Sequence, residues 1–237
     1  MEDKPFVLIP AKGQSSRLVG KNMKLLGERT LVYHAVRRSL LSGIGDVYVS
    51  TESQIVAKTI RIELRASAKK ITVIERPQYL SKPSTRVFEV CKHAIKKLKK
   101  KEYTTLIMTL PSTPLLTGSH MKEAYDQYID SGRFPLFCLT KVEKSGTILL
   151  RQDSDGFICA WGDNKLDKAV QGDYGDAYVD NGGILICDID QFLEVGGDYY
   201  SFCALQGYVV SADYGLDIDT PLDFLVAESI LKWKNSK

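Results

Sequence analysis

Short apolar runs alternate with amphipathic stretches through the first half of the chain. Residues 6–11 form an apolar run that reads as a strand, and apolar positions recur at helical spacing over 31–41. The alternation repeats as strand 47–50, helix 53–64, strand 71–74, helix 86–98, strand 105–110 and helix 119–131. Connections between these elements are short. Repeated β–α units of this kind predict an α/β fold, a mainly parallel sheet covered by helices on both faces. Ligands of such sheets bind at the carboxyl ends of the strands, where loops 12–22 and 110–116 lie.

The pattern changes at about residue 133. Residues 135–140, 147–150 and 157–161 read as short strands separated by polar turns such as Asp153-Ser154-Asp155-Gly156, and 163–176 is a long polar stretch. We read 133–180 as an excursion from the sheet within a single domain spanning 1–237. Strands at 184–187 and 208–211 and a last helix at 222–233 then close the domain. A chain of 237 residues is long enough to bury a sizeable core.

The loop after the first strand carries the first chemistry. Lys12, Arg17, Lys21 and Lys24 crowd one turn region and are interleaved with Gly13, Ser15, Ser16 and Asn22. Four cations in one loop repel one another unless an anion lies among them, and a loop at a strand end offers backbone N–H groups as well. A polyphosphate is the anion this arrangement suits. The loop is neither G-x-x-x-x-G-K-[ST] nor G-x-G-x-x-G. A surface turn with solvated lysines is the competing reading.

Charge and cysteine usage narrow the class. Lys and Arg total 32 against 29 Asp and Glu, a net charge of +3, so no strong field drives the chain to nucleic acid. The basic run 96–101 continues a helical apolar pattern and reads as a solvated helix C-terminus. Five cysteines without C-x-x-C spacing, most of them in apolar surroundings, read as reduced buried thiols, and His34, His93 and His120 lack a zinc spacing. No apolar run approaches membrane length. A soluble cytoplasmic protein without nucleic-acid or membrane partners is expected.

Asp217 and Asp219 stand at i and i+2, which in extended backbone puts both carboxylates on one face, able to share a hard cation. The segment is also a helix start, with Thr220 as N-cap, Pro221 at N1 and Asp223 at N3. Capping accounts for Thr220, Pro221 and Asp223, and leaves Asp217 and Asp219 unassigned.

Several motifs in order carry a resemblance: Ile9-Pro10-Ala11-Lys12 through Lys21-Asn22 and Lys24-Leu25-Leu26-Gly27 to Leu31, then Val49-Ser50-Thr51-Glu52, Arg76-Pro77, Leu110-Pro111-Ser112-Thr113-Pro114-Leu115, Asn181-Gly182-Gly183 and Leu216-Asp217-Ile218-Asp219-Thr220-Pro221. Across its whole length the chain resembles the acylneuraminate cytidylyltransferases, which activate sialic acid and related sugar acids as CMP conjugates. The resemblance implies a Rossmann-like nucleotidyltransferase sheet whose excursion serves as a dimerisation arm in a homodimer. It further implies transfer of CMP from CTP to the anomeric hydroxyl of a sialic-acid-like sugar acid, with release of pyrophosphate. By the same resemblance Lys12, Gly13, Ser15, Arg17, Lys21, Asn22 and Arg76 bind the nucleotide, Asp217 and Asp219 hold Mg²⁺, and Lys21 joins these aspartates in catalysis. Ser112, Thr113, Asn181 and Gly182 fall at acceptor-binding positions.

The chain departs from the family pattern mainly on the acceptor side. Lys12 stands where the family has arginine, which keeps the charge and loses the bidentate fork. Leu110 replaces a glutamine, Leu116 an arginine, Pro83 an aspartate, and Val179 an arginine that in relatives helps hold the acceptor's carboxylate. Valine cannot make a charge-assisted hydrogen bond to an anion. Lys141, Lys144 or Arg151, from the excursion or a partner subunit, are the cations available to substitute for that arginine, each also readable as a solvated surface charge. A nucleotidyltransferase of the same fold with another base or acceptor, such as a sugar phosphate or phosphonate, and a non-catalytic nucleotide-binding homologue are the alternatives.

Overall fold

The computed structural model describes residues 3–15, 18–142, 150–152, 154, 158–160 and 177–236. In chain order its elements are β1 (Pro5–Pro10), β2 (Leu25–Leu26), β3 (Arg29–Thr30), α1 (Leu31–Ser42), β4 (Asp46–Thr51), α2 (Gln54–Leu64), β5 (Ile71–Glu75), α3 (Val87–Leu98) and β6 (Thr105–Met108). They continue with α4 (Gly118–Asp130), β7 (Leu136–Lys141), β8 (Leu150–Gln152), β9 (Ile158–Ala160), β10 (Tyr178–Asp188), α5 (Ile189–Glu194), β11 (Gln206–Val210) and α6 (Pro221–Asn235).

β1 shows why the sheet is covered on both faces. Successive side chains of a strand point to opposite sides. Val7 and Ile9 join a core with Val32 and Val36 of α1, Val56 and Ile60 of α2, and Met121 and Ala124 of α4. Phe6 and Leu8 join a second core with Cys91 and Ala94 of α3 and with Ile189 and Phe192 around α5. All four β1 side chains are fully buried, and each contributes about 1.5–3 kcal/mol relative to exposure. An uninterrupted apolar run is therefore what this strand requires.

The main sheet runs β11-β7-β10-β6-β1-β4-β5. β6, β1, β4 and β5 are mutually parallel. β10 is antiparallel to both β6 and β7, while β11 returns parallel to β7. The mainly parallel α/β sheet with helices on both faces is thus as expected. Among the described residues no helix is long and apolar enough to cross a membrane.

Two sequence readings need correction. Residues 135–140 do not open an excursion: β7 lies inside the main sheet between β10 and β11, with Leu136, Phe137 and Cys138 buried. β10 is also far longer than the expected strand at 184–187. Asn181-Gly182-Gly183, which precedes the expected strand, is an irregularity within β10. The register to β7 shifts between Asp180 and Leu185, and Gly182 takes the left-handed conformation at φ 63° that glycine tolerates. Of the remaining excursion, β8 and β9 pair as a separate antiparallel hairpin, and 143–149 and 161–176 lie outside the described residues.

A third core, Leu18, Leu26, Leu31, Leu115, Ile218 and Ala227, binds α6 and the β2–β3 hairpin over the carboxyl ends of the parallel strands. Ile218 is fully buried. Its side chain anchors the segment that carries the two aspartates on either side of it.

Candidate active site

The carboxyl ends of β1, β5 and β6 converge on a cavity of about 260 Å³. Lys12, Ser15, Lys21 and Asn22 reach it from the loop after β1, Arg76 from the end of β5, and Ser112 from the loop after β6. Leu80, Lys82 and Thr85 complete one wall. Sequence positions far apart are thus gathered at one rim. Arg17 lies outside the described residues.

Asn22 is nearly buried, and its amide nitrogen donates to the Lys12 carbonyl at 2.8 Å, which pins the two ends of the basic loop together. Glu52, at the end of β4, is the organising carboxylate. Its Oε1 accepts the Gly13 N–H at 2.7 Å, and its Oε2 accepts Arg76 Nη2 at 2.7 Å and the Ser81 hydroxyl at 2.8 Å. Burial opposes ionisation of Glu52, but these donors outweigh it and hold the carboxyl below its ordinary range. One side chain therefore ties the basic loop, Arg76 and the 78–81 turn into a single wall.

Gly13 lies behind this wall. Its N–H is engaged by Glu52, and it does not line the 260 Å³ cavity. Gly13 thus has a packing role in this wall, and it lines a neighbouring pocket with Gln14 and Ser53. A Cβ on Gly13 would sit 2.7 Å from Ser53 Cβ at the start of α2, so no larger residue fits between loop and helix.

The aspartate segment meets the loop at Lys21. Lys21 Nζ donates to the Ile218 carbonyl at 2.6 Å and to Asp219 Oδ1 at 3.0 Å. The Ile218 N–H donates to the Ser112 carbonyl at 2.8 Å. Behind it, Asp223 Oδ2 accepts the N–H groups of Asp219 and Thr220 at 3.0 and 2.7 Å, and Thr220 Oγ1 accepts the Asp223 N–H at 3.2 Å. The expected helix cap is present. It also holds the backbone of Asp219.

Asp217 lines a second cavity, about 220 Å³, with Asp180, Gly182, Tyr199 and Tyr200 over an apolar floor that includes Leu110. Tyr200 donates to Asp180 Oδ2 at 2.7 Å, and Asp180 Oδ1 accepts the Gly182 N–H at 2.8 Å. Leu110 lines both cavities and is their common wall.

Of the expected acceptor residues, Ser112 and Gly182 line these cavities and two others do not. Thr113 is fully buried, its hydroxyl donating to the Leu110 carbonyl at 3.2 Å. Asn181 is buried too: its amide nitrogen donates to Thr140 Oγ1 at 2.9 Å and its oxygen accepts the Gly183 N–H at 2.8 Å. Both amide groups of Asn181 face internal partners, so both residues shape the site from within. Glu52 was not singled out by sequence reasoning. Its place at the end of an apolar strand in Val49-Ser50-Thr51-Glu52 was the available signal.

No cluster of three or more metal-binding side chains occurs among the described residues. Asp217 and Asp219 offer hard oxygen donors on either side of Ile218. Mg²⁺ typically uses one or two carboxylates plus substrate phosphates, so this pair beside a cation-lined cavity fits such an ion.

Comparison with known proteins bears on the family and the fold. A family model described as cytidylyltransferase matches residues 6–154. The N-acylneuraminate cytidylyltransferase of Streptococcus agalactiae serotype V is 25% identical over 94% of the chain. The chain covers 52% of that protein, about half the length of the curated relatives it matches over most of its length. A 3-deoxy-manno-octulosonate cytidylyltransferase of Stenotrophomonas maltophilia is 46% identical over 54 residues, 23% of this chain and 21% of that protein. Among solved structures, a CMP:2-keto-3-deoxy-manno-octonic acid synthetase complexed with CTP shares the fold, with a TM-score of 0.67 at 15% identity, covering 98% of this chain and 100% of that one. With a matching model over most of its length, the chain belongs to the cytidylyltransferase family.

Proposed function

We propose that this chain transfers CMP from CTP to the anomeric hydroxyl of a sialic-acid-like sugar acid, releasing pyrophosphate, with Mg²⁺ held by Asp217 and Asp219. One observation carries the reading: Lys12, Lys21 and Arg76 line a single cavity whose neighbour across Leu110 contains Asp217. CTP suits the first cavity and the acceptor the second. The hydroxyl oxygen attacks the α-phosphorus in line, its proton passes to solvent, and the bond from that phosphorus to the oxygen bridging to the β-phosphate breaks, so that pyrophosphate leaves. Lys12 and Lys21 offset the charge that grows on the phosphoryl oxygens and the leaving group, so positioning and electrostatics supply most of the acceleration. Mg²⁺, when bound, neutralises phosphate charge and orients the triphosphate. The homodimer and the cytoplasmic location belong to the same proposal, the first resting on the resemblance and the second on the cysteine usage.

The same transfer to a different acceptor is a second reading, and one observation favours it. The 220 Å³ cavity presents Asp180 and Asp217 and, among the described residues, no Lys or Arg in its lining. Val179, at the place of the family's arginine, is half exposed. A panel of sugar acids, sugar phosphates and phosphonates incubated with CTP and Mg²⁺, read as pyrophosphate release, separates the two readings. Activity confined to sugar acids supports the first, and activity confined to other acceptors replaces it with the second. Asp217→Asn is expected to abolish release while the protein remains folded. Undiminished turnover removes the metal assignment.

A further inference from the structure

Arg38 lies in the middle of α1, and its guanidinium is buried, with 2% of the residue exposed. No carboxylate among the described residues pairs with it; the neighbouring ionisable group is the Cys138 thiol. Burial pushes Arg38 down to about 9, which leaves it protonated at neutral pH. A buried charge without a counter-ion is costly, and a well-packed apolar residue would serve stability better. Its partners show what the cation does instead.

Nη1 donates to the Thr113 carbonyl at 2.7 Å, and Nη2 donates to the Leu110 carbonyl at 2.6 Å and to Thr109 Oγ1 at 2.7 Å. Thr109 in turn donates to the Gly183 carbonyl at 2.5 Å. Every one of these acceptors belongs to the loop after β6 or to the glycine irregularity of β10. Leu110 of that loop is the wall between the two cavities. The carbonyl of Ser112 in the same loop receives the N–H of Ile218, between the two aspartates. A planar guanidinium with fixed donors is suited to holding several carbonyls at set positions.

We infer that Arg38 is a positioning residue for CMP transfer: it fixes the 109–113 loop, and through that loop the relative placement of the nucleotide cavity, the acceptor cavity and the aspartate segment. It touches neither substrate. The inference rests on the transfer reaction proposed above. Removing the fork leaves the Lys12, Lys21 and Arg76 cations in place, and since these carry most of the attraction for the triphosphate, CTP affinity changes little even though Leu110 and Ser112 of the loop also line that cavity. The alignment of hydroxyl and α-phosphorus is what deteriorates, and misplacement by about 1 Å costs on the order of 10²-fold in rate.

The test compares wild type, Arg38→Lys, Arg38→Gln and Thr109→Val for CTP binding by calorimetry, for kcat with the best acceptor of the panel, and for thermal unfolding. Arg38→Gln is expected to bind CTP within about threefold of wild type while kcat falls about 10²-fold, with Arg38→Lys and Thr109→Val intermediate. Wild-type kcat in Arg38→Gln overturns the inference. A parallel loss of CTP affinity and kcat in every variant also overturns it, since general loosening then explains both. If Arg38→Gln does not fold, Arg38→Lys and Thr109→Val decide by the same split between binding and kcat. Absence of turnover in the wild-type chain with every acceptor counts against the proposed reaction itself, and the role of Arg38 falls with it.

Discussion

Lys21 Nζ stands 3.0 Å from Asp219 Oδ1, a contact spanning 198 positions that joins the loop after the first strand to the segment before the last helix. Both side chains are mostly shielded from solvent, at 15% and 27% exposure. The pairing places a cation of the nucleotide cavity against one of the two proposed metal carboxylates. With the Lys21–Ile218 hydrogen bond and the core that Leu18 and Ile218 share, it joins the cation-rich loop to the aspartate segment.

Lys21→Met tests this juncture. The substitution keeps much of the aliphatic stem and removes the charge from the cavity and from Asp219. Steady-state kinetics with CTP and the productive acceptor are expected to show kcat reduced about 10²–10³-fold, the scale of losing one group that stabilises developing charge. Circular dichroism should remain native. A variant that raises only KM for CTP would assign Lys21 to ground-state binding alone.

Glu52→Gln is expected to weaken the fold and the nucleotide wall together. Arg76, with 3% of its side chain exposed, would keep its charge and lose its carboxylate. Breaking a buried pair in this way costs about 3–5 kcal/mol, and melting should fall by about 2–4 °C per kcal/mol for a chain of this size. The sign of the pH effect follows from the lowered Glu52 carboxyl. Its stabilisation is fully present above the ordinary value of 4.5 and is lost as pH falls through the lower folded value. The gap in melting temperature between wild type and Glu52→Gln should therefore be constant near neutrality and close on acidification below about 4.5. A gap that persists at the lowest pH would rule out the ionised carboxylate as its source.

Strands β6, β1 and β4 were legible because burial on both faces demands continuous apolar runs, as Phe6 to Ile9 illustrates, and the edge strand β5 was legible from its short apolar run although Thr72 and Glu75 are exposed. β7 and β10 were harder, since Asn181-Gly182-Gly183 has the composition of a turn and only long-range pairing to β7 shows it to be inside a strand. At the site, Lys21, Asn22 and Asp219 converge as their motifs suggested. Gly13, Thr113 and Asn181 sit in the same motifs but engage internal partners. A motif identifies a residue without giving the direction of its polar groups. The roles of Glu52 and Arg38 are not legible for a related reason: a single charge at a strand end or within a helix acquires meaning only from the partners that folding brings to it.

The α6 cap separates stability from positioning. Thr220→Ala removes the hydroxyl that accepts the Asp223 N–H and is expected to cost about 1 kcal/mol in chemical denaturation. Asp223→Ala removes a carboxylate that also holds the Asp219 N–H. Both variants should lose similar stability, and only Asp223→Ala should lose kcat by about tenfold or more. Equal kinetics in the two would show that the backbone of Asp219 does not depend on Asp223.

Leu110→Ala removes most of the side chain that the two cavities share. The cations of the nucleotide wall are untouched, so CTP affinity should change by less than about threefold, a shift under ~0.7 kcal/mol. On the acceptor side the lost apolar surface should raise KM, because deleting buried methyl groups forfeits about 0.8 kcal/mol per group. The opened wall should also admit water beside the α-phosphorus, so that part of the CTP consumed appears as free CMP and not as a CMP conjugate. Chromatographic separation of CMP from the conjugate, with total pyrophosphate measured in the same reaction, gives the ratio directly. A ratio unchanged from wild type would show that Leu110 does not shield the reacting phosphate, and the two cavities would then have to communicate elsewhere along the 109–113 loop.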